Sequence, residues 1–108
     1  MKYGDKLYLI TRRDLSTGKQ AVQSAHALSE FYHKYTETEE EWFTHSNHLA
    51  LLTVSNEDEL LNLMFKAQKV GVKYVNFLEP DMSNQLTAVA LEPGEKSKKL
   101  CSSLPLMR

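Results

Sequence analysis

Three cations gather around one chain reversal near the start of this sequence. Arg12 and Arg13 follow the β-branched and aromatic run Leu7 to Thr11, and Lys19 follows Gly18 at the head of a long segment with helical periodicity. The pattern reads as a strand, a polar loop and a helix. The helix is expected to begin near Gly18 or Lys19, so its free N–H groups and positive dipole end lie where the strand runs out. Backbone donors and three cations in one place attract anions.

At about 100° per residue, Lys19, Gln23, His26 and Glu30 share one polar stripe of this helix. Ala21, Ala25, Leu28, Tyr32 and Tyr35 fall roughly opposite and form the expected core face. Gln23 and His26 then stand on the Lys19 side, either as partly buried hydrogen-bonding groups or at the mouth of a site. For His26 the structural role is the commoner outcome, because a single helical histidine usually satisfies a neighbour.

The rest of the chain must hold that junction in place. With 108 residues, 42% hydrophobic and 25% charged, the sequence has enough apolar material for one core and too little for two, so residues 1–108 are expected to form a single domain that folds alone. The one cysteine, Cys101, excludes an intrachain disulfide and a cysteine-based zinc cluster, which fits a cytoplasmic home. No stretch approaches about 18 apolar residues, so neither a signal peptide nor a membrane span is expected. The net charge of −1 offers nucleic acid no general attraction. Local patches count for more: Arg12, Arg13 and Lys19 form one and Lys96, Lys98 and Lys99 a second, against an acidic run at Glu37 and Glu39 to Glu41.

Thr36 to Phe43 reads as a short helical turn capped by Thr36 or Thr38, with Trp42 and Phe43 against the core. His48 to Val54 is a near-continuous apolar run, the pattern of a strand covered on both faces. Ser55 and Asn56 cap a helix whose stripe is Leu60, Met64 and Ala67 and which stops at Gly71. Lys73 to Leu78 and Leu86 to Leu91 read as strands joined by a linker too short for a crossover helix, so they are expected to be antiparallel neighbours. Glu95 to Ser103 is a weaker last helix. The order β-α-(short α)-β-α-β-β-α describes an α/β domain with a mixed sheet of about four strands and helices on both faces.

Several chemistries find no support. Gly18-Lys19 lacks the preceding glycine of a Walker loop, His26, His33, His45 and His48 form no paired ligand motif, and no serine sits in a nucleophile elbow. Cys101 in a late helix reads as a buried, inert thiol. Neither a metal nor a cofactor is expected.

Leu9-Ile10-Thr11-Arg12-Arg13-Asp14-Leu15, then Gly18-Lys19, then Gln23-Ser24-Ala25-His26-Ala27, resembles the signature of the type II peptidyl-tRNA hydrolases. Thr87-Ala88-Val89-Ala90-Leu91-Glu92-Pro93 is similar to the last-strand motif of that family, and the element order agrees over nearly the whole chain. The resemblance is to a divergent branch of peptidyl-tRNA hydrolase domain proteins. It implies cleavage, without metal or cofactor, of the ester between a peptide and the terminal ribose of tRNA. Carried over by position, Lys19 matches the family's lysine, Thr87 its last-strand threonine, and Glu79 stands where its aspartate would be. Asp14, Gln23, His26 and Asp81 are supporting candidates, while Arg12, Arg13 and Lys19 would meet RNA. Chemically, Lys19 would hold a phosphate or the developing oxyanion, Glu79 or Asp81 would orient a water or that lysine, and Thr87 would donate to the carbonyl. The resemblance also implies a homodimer and a peptidyl-tRNA partner.

Two segments depart from the family pattern. The Asp-Ala-Gly-x-Thr-Gln loop is replaced by Glu79-Pro80-Asp81-Met82-Ser83-Asn84-Gln85, which leaves one family threonine without a counterpart, and the loop between Asp14 and Lys19 is shorter. The alternative is therefore a non-catalytic module of the same fold that binds tRNA, a nucleotide or a protein.

Overall fold

Seven residues of strand, Lys6–Arg12 (β1), run down the middle of a four-stranded sheet, and a computed structural model describes residues 1–107 around it. The chain continues through helices Thr17–Lys34 (α1) and Thr36–His45 (α2), strand His48–Val54 (β2) and helix Glu57–Val70 (α3). Strands Tyr74–Glu79 (β3) and Gln85–Leu91 (β4) and helix Glu95–Cys101 (α4) complete it. The sheet order is β2-β1-β4-β3, with β1 parallel to β2 and antiparallel to β4, and β3 antiparallel to β4. The expected α/β architecture, mixed sheet and element order are all present.

Alternation along the strands divides two cores. Tyr8, Ile10, Leu52, Val54, Val89 and Leu91 point to α3 and α4, and Leu7, Leu9, Ala88, Ala90 and Val75 point to α1 and α2. Helix α3 has the expected caps: Asn56 accepts from the Glu59 amide at 3.0 Å, and Gly71 adopts the left-handed φ of 82° that glycine tolerates without cost. Leu63 joins Leu60 and Ala67 in its buried stripe, and Met64 is half-buried.

The core face of α1 is not the expected one. Gln20, Gln23, Ser24, Ala27 and Phe31 are buried, whereas Ala21, Ala25 and Tyr32 are exposed. The sheet beneath the first half of α1 carries the buried hydroxyls of Thr11 and Thr87. Gln23 is buried there with a partner, the Thr87 hydroxyl, and the Gln20 amide donates to the Leu15 carbonyl. The apolar end, Ala27 and Phe31, packs with Leu7, Leu9 and Trp42.

Two other expectations are corrected. Strand β2 lies at the sheet edge, with Leu49 and Leu51 exposed by 45% and 37%, because α1 lies over β1, β4 and β3 and leaves that side uncovered. The free backbone of β2 is partly met by the C-terminal segment, where the Thr53 amide donates to Pro105 and Met107 donates to Leu51. In α2, Trp42 is buried and its indole N–H donates to the His48 carbonyl at 2.7 Å, but Phe43 faces solvent. Neither threonine caps this helix: the Thr36 hydroxyl donates back to the Tyr32 carbonyl, and the Thr38 hydroxyl accepts from Lys73.

Candidate functional site

The α1 N-terminus stands at the end of the sheet where β3 finishes and β4 begins. Ser16 caps the helix by accepting from the Lys19 amide at 3.3 Å, which fixes the first turn. The Lys19 side chain is exposed there. Across from it, Pro80–Met82 forms a single 3-10 turn, and Ser83 and Asn84 take left-handed φ values of 54° and 60° to reverse the chain into β4. Gly18, Lys19, Val22, Gln23, Glu79, Asp81 and Met82 line the resulting cleft, whose volume is about 320 Å³. Lys19 and the Glu79–Asp81 loop thus share one opening, as the sequence led us to expect.

A hydrogen-bonded chain runs inward from the cleft. Gln23 Nε2 donates to Glu79 Oε1 at 3.2 Å, and the Thr87 hydroxyl donates to Gln23 Oε1 at 2.8 Å. An ionised carboxylate only accepts, so Glu79 requires the amide nitrogen of Gln23, and this leaves the amide oxygen for Thr87. Thr87 in turn is held by a bulge. Phe77 pairs with Ala88 and Leu78 with Leu86, so Thr87 is the extra residue on β4 and turns to the α1 side together with Ala88. The Thr11 hydroxyl donates to the Thr87 carbonyl at 2.9 Å.

Thr87 is fully buried behind Gln23 and does not line the cleft, whereas the expected role has it donate to the substrate carbonyl. Its hydroxyl is linked to the cleft only through Gln23, which bonds Glu79. Thr87→Val should leave the Gln23 oxygen short of its donor and lower stability by about 1–2 kcal/mol, read by urea unfolding.

Arg12 also lies elsewhere than expected. It is 6% exposed, beneath the start of β4, where Nη1 donates to Gln85 Oε1 at 2.9 Å and to the Leu86 carbonyl at 3.1 Å. Nε and Nη2 grip both oxygens of Asp14 at 3.0 and 2.8 Å. The Arg12 guanidinium pulls the Asp14 carboxyl below its usual range, and the same bond pushes Arg12 up. As the last residue of β1, Arg12 falls on the α3 side of the sheet and is spent on structure. Asp14 is its partner. Arg13 is exposed and donates to the Ser55 hydroxyl at 2.7 Å.

The second lysine group is remote from the cleft. Lys96 reaches the Val70 carbonyl beside the beginning of β3, at the opposite end of the sheet from Lys19. Cys101 is buried, and burial pushes its thiol up to about 12, so it stays protonated and unreactive. His26 is exposed on the β3 flank of α1, its ring stacked on Phe77 with centroids 4.4 Å apart and planes 3° from parallel. Val22 and Met82 had drawn no attention in the sequence, where their only signal was an apolar type in a helix and in a loop, and Phe77 was read only as part of a strand.

Residues 5–107 match the model of the peptidyl-tRNA hydrolase PTH2 family. This chain belongs to that family. The match spans the Lys19 turn, the Gln23–Thr87 pair and the β3–β4 loop alike. Among solved structures, a protein of unknown function from Agrobacterium tumefaciens strain C58 is similar with a TM-score of 0.72 at 13% identity, covering 98% of this chain and 99% of that one. At that identity the likeness is one of fold. Within the PTH2 fold of this chain, no helix of the described residues is long and apolar enough to cross a membrane.

Proposed function

We propose that this chain is an active peptidyl-tRNA hydrolase that cleaves the ester between peptide and terminal ribose with water as nucleophile and without metal or cofactor. The observation that carries this reading is the exposed Lys19 facing the Glu79 carboxylate across one cleft at a helix N-terminus. Glu79, oriented by Gln23, takes a proton from the attacking water, whose oxygen bonds to the ester carbonyl carbon. Lys19 holds the oxyanion that develops. The carbon–oxygen bond to ribose then breaks, the ribose oxygen leaves with that proton, and the peptide departs as its acid. Asp81, exposed on the same rim, orients Lys19 or the water. Arg13 and Lys19 meet RNA phosphates, a cytoplasmic task. Release of peptide from labelled peptidyl-tRNA by the purified protein is the test.

The enclosure of Thr87 and the absent family threonine favour the binding module as the second reading. A wild-type protein that binds peptidyl-tRNA and never releases peptide establishes the module and sinks the enzyme.

We propose a second copy of this chain as the partner for the uncovered side of the sheet. The His26 flank of α1 faces β3, so the opposite flank, with Tyr32 exposed by 41%, turns toward Leu49 and Leu51 of β2. These three residues make an apolar surface that a homodimer would cover. Sedimentation should give twice the chain mass, and Leu51→Asp should weaken the dimer by at least about ten-fold. A wild-type monomer at high concentration removes the proposal.

A further inference from the structure

Beyond the cleft, one flank of α1 continues along the outer strand β3. Lys19, His26 and Lys34 share this flank, and the helix rise puts Lys34 about 22 Å from Lys19 with His26 between them. In the middle, the imidazole of His26 lies flat on Phe77, and the exposed residue turns its remaining surface to solvent. At the far end, Lys34 and Lys73 converge. The Lys34 ammonium lies 5.3 Å from the centroid of Tyr35 and 5.9 Å from that of Tyr74, and the Lys73 ammonium lies 5.9 Å from Tyr35 while donating to Thr38. Both lysines and Tyr35 line an open pocket of about 300 Å³.

The alternation along this flank is chemical as well as geometric. Cations stand at its two ends, a flat ring pair lies between them, the exposed carboxylate of Glu30 interrupts the cations after His26, and Glu37 shares the lining of the far pocket with Lys34 and Lys73. A duplex presents evenly spaced phosphates and hides its bases, so it suits neither the stack nor the gap. A single strand has unstacked bases that lie on aromatic surfaces and a backbone that spans from one cation to the next. We infer that the α1–β3 flank is a track for single-stranded RNA, with the His26–Phe77 stack seating a base and Lys34 with Lys73 holding a phosphate. Resting on the proposed hydrolase reading, the track takes the unpaired 3′ end of tRNA, its last ribose at Lys19 and Glu79 and its upstream nucleotides toward Lys34.

The test uses the full chain and a labelled RNA tetranucleotide, ACCA, which contains no bond for the enzyme to cleave. Wild type should bind it more tightly, per phosphate, than a blunt-ended RNA hairpin stem. The double variant Lys34→Ala with Lys73→Ala should lose about ten-fold in affinity, and its log–log salt slope should become shallower by roughly 0.7 for each phosphate it no longer neutralises. His26→Ala should lose a similar factor with the slope unchanged, because stacking carries no counterion. All three substituted side chains are exposed, and equal melting temperatures will show that the fold is kept. Equal affinity of wild type and all variants, no binding by wild type at low salt, or preference for the stem overturns the track. Peptide release by wild type with unaltered variant binding overturns the track alone. Tetranucleotide binding that depends on these residues, without any peptide release, supports the track and overturns the hydrolase reading.

Discussion

Lys19→Ala is expected to slow ester cleavage by about thirty-fold to nearly a thousand-fold, the loss of on the order of 2–4 kcal/mol of transition-state stabilisation. The fold should barely register the change. Lys19 is exposed in the first turn of α1, where alanine is a good helix former, and the bond to Ser16 is made by its backbone amide, which alanine keeps. Binding of uncleaved substrate should fall less than turnover, since an interaction that strengthens with developing charge appears mainly in the rate. Single-turnover release of peptide, set beside filter binding of peptidyl-tRNA, separates the two. Cleavage by Lys19→Ala at the wild-type rate keeps the activity and removes this lysine from its centre.

The cleft was legible because its makers are local. A strand running out into two arginines, a capped helix start and a short strand-to-strand linker are all read from neighbouring residues, and the sheet brings the linker beside the helix. The caps of α3 were legible for the same reason. What escaped the sequence was set by distant partners. The helical period of α1 offered small apolar and tyrosine residues as its inner face, but the buried Thr87 hydroxyl gives Gln23 a partner inside. The run His48 to Val54 has the composition of a central strand, and only the sheet order shows it at an edge.

Thr87 and Arg12 mark the same boundary in the site. Thr87 carries a family motif position, yet the β-bulge that buries it depends on the register between β3 and β4, which no local pattern reports. Arg12 and Arg13 are adjacent and alike in type. The chain sends one under β4 and the other to solvent, so the side each falls on decides which of them stays exposed.

Arg12→Ala should therefore act on stability, lowering it by about 2–4 kcal/mol, because the Leu86 carbonyl and Gln85 lose a buried charged donor and a cavity opens under β4. The half-exposed Asp14 adds little at neutral pH, since water screens the charge that Arg12 releases. Acid separates the pair further. The folded Asp14 carboxyl titrates below its ordinary value, so its ionised form stabilises the fold above the normal aspartate range, and that contribution disappears as pH falls through the ordinary and then the folded value. In Arg12→Ala this acid-linked loss should shrink, because the depression of Asp14 has lost its first cause. Urea unfolding at neutral pH and near pH 3 gives both quantities. Arg13→Ala, by contrast, should unfold like wild type and bind RNA less tightly, with a shallower salt slope. An Arg12→Ala protein as stable as wild type but weakened for RNA would reverse these assignments and put Arg12 back at the RNA surface.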